Sequence, residues 1–453
     1  LNFKPSGAWD RIAAAVLVVA FALAGWKILQ RAPASPFAVQ SASPLAEAPK
    51  PPPRVGLPSQ QLSPDGRFRF DAQFVSSSPG QAVHAASLVE LNDGRLRAVW
   101  FSGSREGARD VTIQTSVMDP ASLRWSAEST LFDRQQLQQG LWRYVKKLGN
   151  PVIARAPDGT LCIWMVNVSL GGWAGSSITW ARSVDEGETW SAPRRLVTSP
   201  FLNISTLVKG APVSFQDGQI GLPVYHEFIT KFGEMVRINA QGQVVDKIRI
   251  PGSQTSLQPV VLVKGPQEAD VYMRSGTATA LMASQTTDAG KTWSSTHASA
   301  WPNPDSALAG VVTNAGTRWL ALNPEPRNRE VLALLASGPG ASFDGVTPWI
   351  VESSATPQVR TSLQDYERLL TQELKARGAS EDQTRAYVAS ARRQLCVEQV
   401  CAQEFSYPYL LQSRDGYLHL VYTWHRTRIK HVRLDPLQPF QAAPAVTSRV
   451  ATP

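Results

Sequence analysis

The stretch Ser183-Val-Asp185-Glu-Gly187-Glu-Thr189-Trp190 returns as Thr286-Thr-Asp288-Ala-Gly290-Lys-Thr292-Trp293. Both fit S/T-x-D-x-G-x-T-W, and degenerate copies end at Trp125 and Trp349. Short Asp, Ser and Thr side chains hydrogen-bond the backbone of a tight turn, Gly accepts the strained position, and Trp packs the turn against a neighbouring layer. These aspartates therefore read as structural. A second repeat runs in phase with them. NDGRLRAVW (Asn92 to Trp100), PDGTLCIW (Pro157 to Trp164), QDGQIGLPV (Gln216 to Val224), KGPQEADVYM (Lys264 to Met273), NAGTRWLAL (Asn314 to Leu322) and RDGYLHLVY (Arg414 to Tyr422) each place a strand-like apolar run after a glycine-bearing turn. Their turn glycines, at 94, 159, 218, 265, 316 and 416, are spaced by 65, 59, 47, 51 and 100 residues. The first four intervals suit a four-stranded propeller blade, and the last is one blade plus an insertion of about fifty residues. The predicted fold is all-β, a six-bladed β-propeller of four-stranded antiparallel blades with a helical insertion before the last blade.

Outside this region the chain changes character. Ile12 to Trp26 (IAAAVLVVAFALAGW) carries no charge and lies between Arg11 and Lys27. It reads as an N-terminal transmembrane helix, a signal anchor over residues 1–31, with a signal peptide cut between Ala32 and Ala38 as the competing reading. Residues 32–67 are rich in Pro and Ala and read as a linker. The propeller is then expected over 68–453, with its insertion at about 356–400. This arrangement implies a single-pass membrane protein, in the inner membrane if bacterial, whose propeller lies in the periplasm or outside the cell.

The 453 residues are 43% hydrophobic and carry 45 Lys plus Arg against 36 Asp plus Glu. That apolar content excludes a disordered chain, and the scattered basic residues argue against a nucleic-acid partner. Six histidines without ligand spacing, and the absence of H-E-x-x-H, Walker and dinucleotide patterns, give no metal and no cofactor.

On these repeats the chain resembles the sialidase superfamily of six-bladed propellers, whose Asp-box turns match the motif above. The likeness is carried further by VHAASLVELNDGRLRAVWFSGSREGARDVTI (Val83 to Ile113), LQPVV (Leu257 to Val261), YMRSG (Tyr272 to Gly276), PNPDS (Pro302 to Ser306), NPEPRNREVLALLAS (Asn323 to Ser337) and EFSYPYLLQSRDGYLHLVYTWHRTRIKHV (Glu404 to Val432). The resemblance implies a site at the centre of one propeller face, with a tyrosine nucleophile, an arginine clamp for a sugar carboxylate and an acidic proton donor. Tyr407 matches the nucleophile, Arg274 and Arg329 match two clamp arginines, and Asp110 matches the acid/base with Glu106 as competitor. Two positions depart. His84 stands where a third arginine is expected, and Gln258 replaces the glutamate that polarises the tyrosine. His84, Lys209, Gln258, Arg274, Asn303, Arg329, Tyr407, Tyr422 and Arg426 are expected to line one polar, net positive funnel.

Two functions stay open on this reading. One is an exo-α-sialidase-like glycosidase acting on sialic acid or a related ulosonic or uronic acid in an extracytoplasmic glycan. The other is a non-catalytic propeller that binds an acidic polysaccharide as an accessory subunit of an envelope complex. The insertion contains Leu363, Tyr366, Leu369, Leu370 and Leu374 at helical spacing and a second helix start after Gly378. It reads as a surface decoration, a lid over the funnel or a docking surface for an envelope protein. Cys396 and Cys401 are expected to form a disulfide stapling the insertion to the last blade, with unpaired thiols as the alternative, and Cys162 to be a buried thiol.

Overall fold

The computed structural model describes residues 7–29, 35–39, 56, 60–199, 203–277, 279–354 and 360–438. Two units are distinct, Leu1–Ser35 and Pro36–Pro453. The first contains one helix, Ala8–Leu29. Among the described residues no helix is long and apolar enough to cross a membrane, which corrects the expected transmembrane segment and the anchor built on it. The charge-free run covers fifteen residues; at about 1.5 Å per residue it reaches about 22 Å, short of the roughly 30 Å of a bilayer core.

Among the described residues the second unit is built from six antiparallel blade sheets and one small three-stranded sheet in the insertion. Blade 1 comprises Ala82–Glu90, Leu96–Gly103, Thr112–Met118 and Ser129–Phe132, and blade 2 Lys147–Arg155, Leu161–Val168, Ser176–Ser183 and Arg194–Arg195. In blade 3 the first strand is broken into Leu207–Val208 and Val213–Ser214, and both pieces pair with Ile220–His226. Blades 4 and 5 begin at Ser256–Val263 and Ala309–Val312. Blade 6 takes three strands from the C-terminal end, Phe405–Gln412, Leu418–Trp424 and Arg428–Leu434, and a fourth from Arg69–Phe74, with Asp71 opposite Arg433 and Phe74 opposite Lys430; Gln61–Leu62 pairs outside it as a short edge strand. The ring is thereby closed by hydrogen bonds between the two ends of the domain, which leaves no long unpaired edge.

The turn chemistry is as the repeats predict, with one exception. Glycines 94, 159, 218, 316 and 416 have φ between 77° and 88°, whereas Gly265 is not among the positive-φ residues and its turn closes through Gly265 and Glu268. In the first Asp box the Asp185 carboxylate accepts from Thr189 N at 2.9 Å and from Ser183 Oγ at 2.7 Å, while Trp190 Nε1 donates to Gly187 O. Asp288 repeats the arrangement with Thr286 and Thr292.

Part of the stretch read as a linker is folded. Phe37 is fully buried, stacks on Phe215, and its N–H donates to Pro266 O at 2.7 Å. Gln61–Leu62 of that stretch pairs with Arg69–Phe74 as well, and its residues 32–34, 40–55 and 57–59 lie outside the described residues. The insertion forms the helices Leu363–Ala376 and Glu381–Leu395, capped by Ser362 and Ser380. Leu363, Tyr366, Leu370, Leu374 and Tyr387 are buried in one cluster with Phe405 and Trp424 of blade 6, so its apolar stripe is spent on the propeller wall. Cys396 and Cys401 are bonded, but the bond closes the hairpin of Cys396–Val397 and Val400–Cys401 within the insertion instead of tying it to the blade. Cys162 is an unbonded, buried thiol.

Candidate active site

Four innermost strands bulge where they approach the site: the ladder slips between His84 and Ser87, Gly149 and Pro151, Leu257 and Val260, and Ser406 and Tyr409. A bulge re-aims a side chain that a regular strand would point along the sheet normal. Gln258 and Tyr407 occupy the bulges themselves, at φ 55° and 54°. The two meet: Gln258 Nε2 donates to the Tyr407 oxygen at 3.2 Å and lies 3.4 Å from the Tyr225 oxygen. The amide cannot turn over without loss, because its Oε1 accepts from the Arg274 guanidinium at 3.1 Å. Arg274 also donates to the Tyr407 oxygen at 3.3 Å and forms an ion pair with Asp305 at 2.7 Å. Burial works against the Arg274 charge, but Tyr407 and Asp305 outweigh it and hold the guanidinium protonated. Two donors thus converge on one phenol oxygen.

The Tyr407 ring is walled by His84, at 3.9 Å between ring centroids, and lies 5.8 Å from the Lys209 ammonium nitrogen. His84 Nδ1 is 2.9 Å from Thr423 Oγ1, and its Nε2 has no hydrogen-bond partner among the described residues. Burial first, then the Arg426 charge, hold His84 well below the usual imidazole range. The imidazole is neutral, so it does not supply the third positive clamp contact, and Gln258 and Arg274 rather than His84 hold the Tyr407 oxygen. Lys209 is buried, donates to Pro408 O at 2.8 Å, and is lowered by burial to about 7.

Arg329 and Arg426 come together on Glu404. Arg329 donates to it at 3.2 Å and Arg426 at 3.0 Å, and Ser406 Oγ adds a further bond. Burial pushes the Glu404 carboxyl up, yet Arg426 and Arg329 prevail and keep it ionised. Arg426 also reaches Glu106 at 3.2 Å, which brings Glu106 into the site. With Asp305, Glu404 and Glu106 each on an arginine, the expected net positive lining is corrected: the cations here are largely paired.

Three expected residues are placed otherwise. Asp110 is exposed and accepts from Ser104 N and Oγ, both at 2.9 Å, closing its own loop. Asn303 is buried and spends its side chain on Ser306 N and O, shaping the turn that presents Asp305. Tyr422 is fully buried and donates to Glu352, in a network with Lys430 and Glu373 between the last blade and the insertion. Sequence reading missed Tyr225, which accepts from Asn150 at 3.1 Å, together with Asp305, Glu404 and Glu227. Asp305 and Glu404 lie inside PNPDS and EFSYP, stretches whose pattern is legible, but only the fold shows which arginine each one faces.

The bulged inner strands of four blades thus bring a tyrosine and an amide together beside three arginines. A family model, the BNR repeat-like domain, matches residues 94–420, and the chain belongs to that family within the sialidase-like BNR-repeat superfamily. Similar solved structures include a Hadza microbial sialidase (TM-score 0.57, 14% identity, 78% of this chain and 66% of that one). A Dyadobacter fermentans protein of unknown function has TM-score 0.58 and 11% identity over 81% of this chain and 98% of that one. The intramolecular trans-sialidase from Ruminococcus gnavus, in complex with oseltamivir carboxylate, gives 0.56 and 11% over 81% and 97%. This chain spans just under two thirds of the Hadza sialidase. At these identities the likeness is one of fold. No curated protein matches the chain.

Proposed function

We propose that the propeller is a glycoside hydrolase acting on an acidic sugar, sialic acid or a related ulosonic or uronic acid, with Tyr407 as nucleophile. The observation that carries this is the Tyr407 oxygen held between Gln258 Nε2 and the Arg274 guanidinium. Gln258 cannot take a proton from the phenol, but its N–H hydrogen-bonds the oxygen on which negative charge builds during attack. Arg274, Arg329 and Arg426 present planar guanidinium groups suited to a sugar carboxylate, which would compete with Asp305 and Glu404 for them. The Cys396–Cys401 bond supports an oxidising, extracytoplasmic compartment.

The test is turnover of aryl glycosides of these sugars by wild type and Tyr407→Phe. The variant removes one oxygen and little packing, so kcat should fall by at least about a hundredfold with a smaller change in KM. Equal turnover by the two proteins rules the nucleophile out. The pairing of all three arginines favours a second reading, a propeller that binds an acidic polysaccharide without cleaving it. Binding of the glycan with no cleavage across the substrates would select it.

A further inference from the structure

We infer that Glu227 is the catalytic acid/base of this site, the residue that protonates the leaving oxygen and later activates water; this rests on the hydrolase reading above. Strand Ile220–His226 runs into the site through Tyr225. Glu227 follows directly on the strand end, close enough to the site for its carboxyl to feel the charges of Arg274, Glu106 and Asp305, while His226 turns to Glu234 at 2.6 Å. The backbone there is fixed, since Glu227 N donates to Ser205 Oγ at 2.7 Å and Ser205 is itself held at φ 58°.

Every other carboxylate at the site is committed. Glu404 lies between Arg329 and Arg426, Asp305 is on Arg274, Glu106 is on Arg426, and Asp110 closes its own loop. The half-buried Glu227 carboxyl has neither a hydrogen bond nor an ion pair of 4.0 Å or less among the described residues. An uncommitted carboxyl is what proton transfer requires, because a carboxylate locked onto an arginine is too weak a base to exchange protons near neutral pH. Burial raises Glu227 above the usual carboxyl range; Lys231 and Arg274 lower it, and Glu106 and Asp305 raise it.

In the first half-reaction the Tyr407 oxygen gives up its phenol proton to water and bonds to the anomeric carbon. The bond from that carbon to the leaving oxygen breaks, its electron pair stays on the oxygen, and the Glu227 proton moves there. In the second, water attacks the anomeric carbon, its proton passes to the Glu227 carboxylate, and the electron pair of the broken bond returns to the Tyr407 oxygen, which regains a proton from water.

Proton donation matters for a poor leaving group and little for a good one, which gives the test. Wild type, Glu227→Gln, Asp110→Asn and Tyr407→Phe are compared on 4-nitrophenyl and on benzyl glycosides of N-acetylneuraminic acid, a 3-deoxy-ulosonic acid and glucuronic acid. Glu227→Gln is expected to lose about a hundredfold or more in formation of the glycosyl-enzyme from the benzyl glycoside but to stay within about tenfold for 4-nitrophenyl, measured as the single-turnover burst. The basic limb of its pH profile should vanish. Retained 4-nitrophenyl burst chemistry also shows that the variant folds; should it not fold, Glu227→Asp must keep the basic limb and show the same leaving-group dependence in weaker form. Wild-type behaviour of Glu227→Gln on both substrates, or the leaving-group effect in Asp110→Asn instead, overturns the assignment while an inactive Tyr407→Phe leaves the hydrolase reading standing. An active Tyr407→Phe, or a wild type that cleaves none of the glycosides, removes the hydrolase reading and this inference with it.

Discussion

Ala85, Gln258 and Tyr407 lie at φ 56°, 55° and 54° on three different inner strands. Non-glycine residues reach this region at a cost of order 1–3 kcal/mol and cluster where the surrounding structure enforces them. The strain aims the Tyr407 phenol and the Gln258 amide at one point, and a strand-period reading of SYP or LQP does not reveal it. Lys209 is the second feature of this scale. Its residue type was legible; that its ammonium sits buried against Pro408 O, Tyr407 and Tyr409 was not. A cation whose value drops from 10.5 to about 7 on folding leaves the unfolded chain with more bound protons between those values, so stability should rise with pH across that window. The wild type should gain on Lys209→Met from pH 7 upward, by about 1.4 kcal/mol per pH unit at most. Denaturant titrations of both proteins at pH 7, 8 and 9 measure it, and a constant gap between them contradicts the buried ammonium.

The elements divide by how local their causes are. Asp-box turns were readable because each is closed by its own side chains, as Asp185 and Asp288 show. The insertion helices were readable for the same reason, with Ser362 and Ser380 as caps. What the insertion does was not, since that depends on the surface it covers. Tyr366 Oη lies 3.0 Å from His425 Nδ1, Tyr387 Oη donates to Ser77 O at 2.7 Å, and Gln394 Nε2 donates to Arg426 O at 3.2 Å. The helices thus buttress the wall that carries Arg426 and Glu404. Tyr366→Phe removes the closer of two donors to the buried His425 Nδ1, which keeps the Glu404 N–H at 3.4 Å, and should cost about 0.5–1.5 kcal/mol of stability. Thermal unfolding of the variant checks this; an unchanged midpoint means that the helices merely rest on the blade.

At the scale of the domain, closure is the deciding feature. Arg69–Phe74 completes blade 6, and Phe68 and Phe70 are buried with Trp349, Leu410 and Leu434. A chain starting at residue 80 loses that strand and exposes the edge of Arg428–Leu434. Burying each phenylalanine is worth about 1.5–3 kcal/mol, and an open edge invites pairing between molecules. The truncated domain should lose its cooperative thermal transition and elute as aggregates in size-exclusion chromatography; a monomer with the parent midpoint would show that closure is dispensable. The sequence by itself determined the number of blades, the turns, the insertion and the chemical types near the site, because turn geometry and strand period are written within a few residues. It also suggested a membrane span that the helix does not provide. Only the tertiary structure decided which side chains meet. Strands far apart in the chain converge at the centre, where bulges rotate Gln258 and Tyr407 together and each arginine finds its carboxylate, leaving Glu227 alone uncommitted among the site carboxylates described. Such pairings depend on distances across blades, and no local pattern encodes those.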